Sequence, residues 1–371
     1  MRGKIKLLHA ADLHLDSPFE GLSRGKAAIR RGEQRRLLSA LAETARREKV
    51  DAVLLAGDLI DGTTAYSETA EELAQSLRGC GAPVFIAPGN HDYVSLRSPY
   101  LKNEMPGNVH VFTTGEIECV ELGDIGVRVY GAAFTDAHSA PLLRGFTAPR
   151  EDGVVNILCM HGEVCAGESK YNAISEADLA ASGMDYAALG HVHKESGLCR
   201  AGETWYAWPG CPEGRGFDET GEKHIYIVEL GAGECEVHPV VIAARRYESI
   251  SVDVTGADAR LAVHAALPDD TVRDIYRITL TGETDIVPDA ARLHEDLEEL
   301  FFELDVRDRT RLRRDVWERA GEDSLRGLFL AKLKKICDEA PDEKTRERAE
   351  QAARWGLAAL DNGEEVARHE N

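Results

Sequence analysis

Nowhere in its 371 residues does this chain run apolar for the roughly 18 or more positions that a membrane-crossing helix needs. Its eight cysteines (80, 119, 159, 165, 199, 211, 235 and 337) include no Cys-x-x-Cys pair and repeat no spacing. A thiolate zinc site is therefore not expected, and the thiols read as reduced and largely buried. Positive charge is scarce: 44 Lys and Arg stand against 65 Asp and Glu, a formal charge of −21. That balance argues against a uniformly basic coat for nucleic acid, although a local contact depends only on the field where the backbone lies. No internal repeat or long low-complexity segment occurs, and Met1 to Ile5 hold too short an apolar stretch for a secretory signal. The expectation is a soluble, cytoplasmic protein without a membrane segment.

Five short motifs stand out: Asp12-Leu13-His14, Gly57-Asp58, Gly89-Asn90-His91-Asp92, Met160-His161-Gly162 and Gly190-His191-Val192-His193. They offer carboxylate, amide and imidazole donors and no thiolate, a set suited to two divalent cations that hold phosphate oxygens. Asp12 and His14, two residues apart, can point at one ion. Asp58 is the best candidate to bridge two ions, because each carboxylate oxygen can serve one. Asn90 adds a neutral oxygen, and His191 and His193 alternate across Val192. Each motif alone is weak. Five in order, each just past an apolar β-like run (residues 5–9, 52–56, 84–87, 156–160 and 186–189), predict ligands that converge on one edge of an α/β fold. The eight histidines outside these motifs, His9 and His369 among them, read as surface or satisfied core residues.

Helical patterns at residues 33–49 and 67–78 alternate with the early strands, and after Val94 strands crowd closer at 109–112, 116–122 and 126–130. That order fits two sheets packed face to face with helices outside. Near Arg245 the texture changes to a small α+β unit: strand 247–254, helix 257–266, strand 272–281, helix 289–302 and strand 303–306. Beyond about Arg313 the chain reads as helical, with Leu325, Leu328, Phe329, Leu333 and Ile336 forming an apolar stripe before Pro341 and a second helix over 342–360. Three regions are expected: 1–243, 244–312 and 313–371.

These motifs resemble those of the calcineurin-like metallophosphoesterases, whose fold is a four-layer α/β/β/α sandwich. The resemblance implies that Asp12, His14, Asp58 and His193 hold one metal and that Asp58, Asn90, His161 and His191 hold the other. It implies further that His91 is not a ligand but acts on the phosphate or leaving group, with Asp92 orienting its ring. A metal-bound hydroxide would attack in line from the opposite side. The strings Leu8-His9-Ala10-Ala11-Asp12-Leu13-His14-Leu15-Asp16 and Trp208-Pro209-Gly210-Cys211-Pro212-Glu213-Gly214 look like the DNA-repair exonuclease branch that includes bacterial SbcD. The segment from Gly214 to Gly221 is most similar to the YhaO-type bacterial group. The resemblance spans about residues 4 to 242. Two departures matter: some break-repair nucleases have a His where this chain has Asp61, and the Arg and Glu typical of phosphoprotein phosphatases are absent beside Asp61 and at Asp92.

The reading that follows is a two-metal phosphodiesterase, foremost a DNA exonuclease or endonuclease of DNA repair. Manganese, iron or zinc suits the donors, and the resemblance favours Mn2+. Alternatives are a phosphodiesterase of small nucleotides or other phosphoesters, and a non-catalytic scaffold protein. Arg24, Lys26 and Arg30 are the candidates for DNA-backbone contacts, while Arg31, Arg35 and Arg36 read as a solvated helix face. Tyr171, Trp205 and Tyr206 read as packing, with base stacking as the alternative. The stripe from Leu325 to Ile336 either packs on the preceding domain or, as the resemblance implies, grips the coiled-coil base of an SMC-like ATPase. A homodimer is left open.

Overall fold

The computed structural model describes residues 4–362 apart from 103, 232, 285 and 286, so His369 lies outside the described residues. The chain divides into two compact units, Met1–Arg246 and Tyr247–Asn371.

The first unit is built on two six-stranded sheets. In one, the parallel strands Ile5–Ala10, Ala52–Leu55, Val84–Ile86 and Val109–Val111 lie side by side, and the antiparallel strands Ile225–Gly231 and Glu234–Val240 complete the far edge. In the other, Val155–His161 and Tyr186–Gly190 are parallel at the centre, flanked by Val127–Gly131 and Thr204–Ala207. Glu118–Leu122 and Cys199–Ala201 close it with antiparallel edges.

Strand periodicity explains the layers. Successive side chains point to opposite faces of a strand. Leu7, Leu54 and Phe85 of one sheet therefore meet Val129, Ile157 and Cys159 of the other in a shared core. The alternate residues Leu8, Val53, Leu55, Val84 and Ile86 pack instead with Leu38, Leu41, Leu73 and Leu77 of two outer helices, Arg24–Glu48 and Ser67–Arg78. Leu158, Met160, Ala187 and Leu189 face Leu179 of the short helix Glu176–Ala181 on the opposite side. The result is the expected α/β/β/α sandwich. Strands buried on both faces must be apolar throughout, hence the continuous runs Ala52–Leu55 and Tyr186–Gly190.

The second unit holds the parallel sheet Tyr247–Asp253, Ile275–Thr281 and Glu303–Asp308. Helices Ala259–Ala266 and Ala290–Leu297 share its core through Val263, Leu293 and Leu297. Asp258 and Asp289 cap these helices, each accepting from a backbone N–H three residues on. The C-terminal helices Leu325–Asp338 and Glu343–Asn362 belong to the same unit. The apolar stripe splits: Leu330 is buried with Ala353 and Leu357, and Leu333 packs against that group. Gly356 lies so close to the Phe329 ring that a Cβ there would collide with it. Leu325, Leu328 and Ile336 remain exposed. Among the described residues no helix is long and apolar enough to cross a membrane.

Candidate metal centre

The five motifs meet at the carboxyl ends of the central strands of both sheets, because parallel strands release their loops on one edge. The loops are locked to one another by backbone bonds: Asp12 N–H donates to the Gly57 carbonyl at 3.0 Å, and His14 N–H to the Asp58 carbonyl at 2.9 Å. Asp12, His14, Asp58 and His191 all have positive φ, at 54°, 45°, 51° and 95°. Such backbone is unfavourable for residues with a Cβ, and it concentrates where surrounding structure holds side chains to a task. A Cβ at Gly89 would collide with Asp58, so that position admits little else.

Three overlapping groups of donors result: Asp12, His14 and His193; His14, Asp58 and His91; and Asp58, His161 and His191. Asp58 joins the second and third. Asn90 Oδ1 completes the last, 3.1 Å from both His161 Nε2 and His191 Nδ1.

Hydrogen bonds outside the ring of donors select the tautomers. His161 Nδ1 donates to the Ala56 carbonyl at 2.8 Å, His14 Nδ1 to Asp61 at 3.1 Å and His193 Nδ1 to Glu219 at 2.6 Å. Each leaves Nε2 with its lone pair turned inward. His14 Nε2 and His193 Nε2 consequently face each other at 3.1 Å. Two lone pairs at that distance repel, whereas two nitrogens about 2.1 Å from one ion at a right angle lie about 3.0 Å apart. The donor set thus fits a cation.

Charge tells the same story. Burial resists ionisation of Asp58, yet the nearby His161 pulls its pKa below the ordinary carboxylate range. Burial likewise opposes a charged His161, but the Asp58 carboxylate raises that ring to about 9. Negative charge here demands a positive counter-charge, which a proton or a dication can supply. Burial lowers His191 to about 4, which keeps its ring a neutral donor.

His91 differs from the others. Its side chain keeps 44% of its exposure while His14 and His161 keep none. The expectation that Asp92 orients this ring is corrected: His91 Nδ1 lies 3.0 Å from Asp61 Oδ1. Asp92 is fully buried and turned away, accepting from the N–H groups of Gly89 at 2.7 Å and Leu59 at 2.8 Å and from the Tyr100 hydroxyl at 2.5 Å. Successive residues of this loop point in different directions, so Asp92 ties the loop after Asn90 to the loop after Asp58.

Arg30 requires a second correction. In place of the expected contact with DNA, it has no exposed surface and is paired with Glu33 at 2.8 Å and Glu213 at 3.1 Å. It lies on the inward face of its helix, six residues beyond Arg24, which opens that helix and is exposed. Lys26 is half-buried in the first turn. Of the aromatic candidates, Tyr206 is buried with its hydroxyl on Glu176, Trp205 packs beneath Arg200, and Tyr171 sits 4.8 Å from the His191 ring.

Three residues around the donors carry no role that the sequence reveals: Asp61, Arg215 and Glu219. Asp61 is visible there only as a departure three residues after Asp58. Arg215 and Glu219 lie in a string that signals resemblance without a chemical role, and only folding brings it against His193.

Residues 5–195 match the family model described as calcineurin-like phosphoesterase. The chain is 33% identical over 286 residues to the uncharacterized metallophosphoesterase YhaO of Bacillus subtilis, covering 71% of this chain and 67% of that protein. It is 30% identical over 269 residues to the DNA double-strand break repair protein Mre11 of Aeropyrum pernix, covering 67% and 64%. With the SbcD component of the nuclease SbcCD of Bacillus subtilis it shares 29% over 278 residues, covering 62% and 67%. The chain thus spans about two thirds of the length of these relatives. Its ordered motifs, two-sheet core and matched family model together establish that the chain belongs to the calcineurin-like phosphoesterases, in their SbcD-like branch.

Proposed function

We propose that this protein is a Mn2+-dependent phosphodiesterase that cuts DNA, as an exonuclease or endonuclease of DNA repair. The observation that carries the reading is the run of overlapping donor groups linked through His14 and Asp58, with His91 as its exposed imidazole. Asp12, His14, Asp58 and His193 would hold one ion, and Asp58, Asn90, His161 and His191 the other. Bound there, two dications supply Lewis acidity and neutralise phosphate charge.

The remaining steps belong to the chain's own side chains. The hydrogen bond that His91 Nδ1 donates to Asp61 raises the pKa of His91, and because it engages Nδ1, Nε2 is the atom that can give a proton to the departing oxygen. Asp92 acts by positioning, since it holds the Asp58 and Asn90 loops together. Arg24 and Lys26 are proposed to meet the DNA backbone. The exposed Leu325, Leu328 and Ile336 support docking to an SMC-like coiled-coil ATPase, an apolar helix face suited to a groove. The relatives' names, a DNA double-strand break repair protein and a subunit of a nuclease, favour a polymer substrate and a multi-subunit assembly.

The test is incubation of the Mn2+-loaded protein with end-labelled duplex and single-stranded DNA, beside cyclic nucleotides and an aryl phosphate. DNA cleavage that His91→Ala slows is expected. Turnover of the small esters alone would overturn the DNA reading.

A further inference from the structure

We propose that Arg215 is a substrate-contacting residue of this centre, its guanidinium binding non-bridging oxygens of the phosphate group. The inference rests on the phosphoesterase reading above and adds to it the side chain that grips the substrate's charge.

The guanidinium lies against the candidate ligands. Nη2 is 2.9 Å from Glu219 Oε1 and 3.1 Å from His193 Nδ1, and Nη1 is 3.8 Å from Asp61 Oδ1. The carboxylates beside it are shared. Glu219 Oε1 also takes the Nδ1 proton of His193 at 2.6 Å, and Asp61 serves His14, His91 and Ser17. His193 Nδ1 gives its proton to Glu219, so the approach of Nη2 to that ring uses no donor. An arginine carries five N–H donors. The Nε donor and one of the two on Nη2 are placed on Glu219 at 3.4 and 2.9 Å, and among the described residues Nη1 has an ion pair at 3.8 Å but no hydrogen bond. Within this trio the cation is the most open member, with 21% of its side chain exposed against 16% for Asp61 and 6% for Glu219.

The side chain is also held before any ligand arrives. Its own N–H donates to Glu219 Oε2 at 2.8 Å. The preceding residue, Gly214, gives its carbonyl to the buried Arg30 at 3.0 Å, and Glu213 pairs with the same arginine. Arg30 in turn pairs with Glu33, which takes Arg245 as well. A charge anchored in this way stabilises an incoming anion without reorganising. The flat guanidinium fork matches two phosphate oxygens, which an ammonium cannot do.

The test uses inorganic phosphate, titrated calorimetrically into the Mn2+-loaded full chain, with manganese content measured in parallel. Arg215→Met is expected to weaken phosphate binding at least 10-fold at unchanged manganese stoichiometry, and Arg215→Lys to fall between the two. Affinity within twofold of wild type for Arg215→Met, a loss that tracks lost manganese, or no phosphate binding by the wild type would each overturn the proposal. Should Arg215→Met not fold, Arg215→Lys decides: wild-type phosphate affinity at equal manganese content overturns it. Wild-type protein that binds phosphate through Arg215 but cleaves no phosphoester would sink the proposed function and leave this assignment standing.

Discussion

Asp61 and His91 pair beside the candidate metal centre, with Oδ1 and Nδ1 3.0 Å apart. The same oxygen lies 3.1 Å from Nδ1 of His14, so one carboxylate orients a candidate ligand and the candidate proton donor together. The bond to Asp61 raises the His91 pKa against the opposing effect of burial. In return, hydrogen bonds from His14 and His91 hold Asp61 well below the usual carboxylate range although burial works against its charge.

Asp61→Asn keeps the shape and removes the charge. His91 then loses its proton at a lower pH, so the alkaline limb of the pH-rate profile is expected to move to lower pH. With proton donation impaired, kcat should fall on the order of 10²-fold. A profile superimposable on the wild type's would show that His91 does not set that limb.

Asp92 should prove a residue of stability. Asp92→Ala strands the buried N–H groups of Gly89 and Leu59 and the Tyr100 hydroxyl, and is expected to cost roughly 3–5 kcal/mol. Tyr100→Phe should cost about 1–3 kcal/mol by leaving the carboxylate short of one donor. His91→Ala, at an exposed position, should leave the urea midpoint near the wild-type value. Equal destabilisation by His91→Ala and Asp92→Ala would contradict this division of roles.

The helix Arg24–Glu48 carries cations of two kinds. Arg30→Met leaves Glu213 with an uncompensated buried charge and takes one of the arginines from Glu33, and is expected to destabilise the fold by roughly 3–5 kcal/mol. The double variant Arg24→Gln, Lys26→Gln should fold normally, bind DNA more weakly, and lower the slope of log affinity against log salt by about 1 per lost phosphate contact. An unchanged slope rules these two residues out of the interface.

His9 provides a pH signature of its own, between the two sheets. It is fully buried, its Nε2 donating to the Leu189 carbonyl at 2.9 Å and its Nδ1 accepting from the Tyr186 hydroxyl at 2.9 Å. Burial lowers its pKa from 6.5 to about 3. The folded state therefore keeps the ring neutral where the unfolded chain protonates it. Its contribution to stability is intact above pH 6.5 and is lost as the pH falls toward 3. Between pH 7 and pH 5 the loss should be about 2 kcal/mol. Denaturation curves of His9→Gln at the two pH values should show a smaller drop by that amount, and parallel drops would refute the assignment.

Much of the fold is legible in the sequence because both sheets are covered on both faces, which leaves apolar strand runs that a linear reading detects. The helix at residues 67–78 and the strands of the second unit emerge within a few residues of their expected bounds. The seven expected ligands come together because each is tied by short backbone connection to a strand end. Arg30 departs from expectation because a run of arginines does not reveal which helix face each occupies. Asp92 does so because adjacency to His91 in the chain does not determine the direction of its side chain.

What the sequence determined by itself is the inventory of donors, their order and their attachment to the ends of apolar strands, all set by covalent connection and strand periodicity. Only the tertiary structure decided which carboxylate meets which imidazole. Asp61, Arg215 and Glu219 acquire their partners across gaps of 4 to 154 residues, through loops with no periodic signal. Hydrogen bonds and ion pairs act over a few ångströms of space, so their partners are fixed by packing.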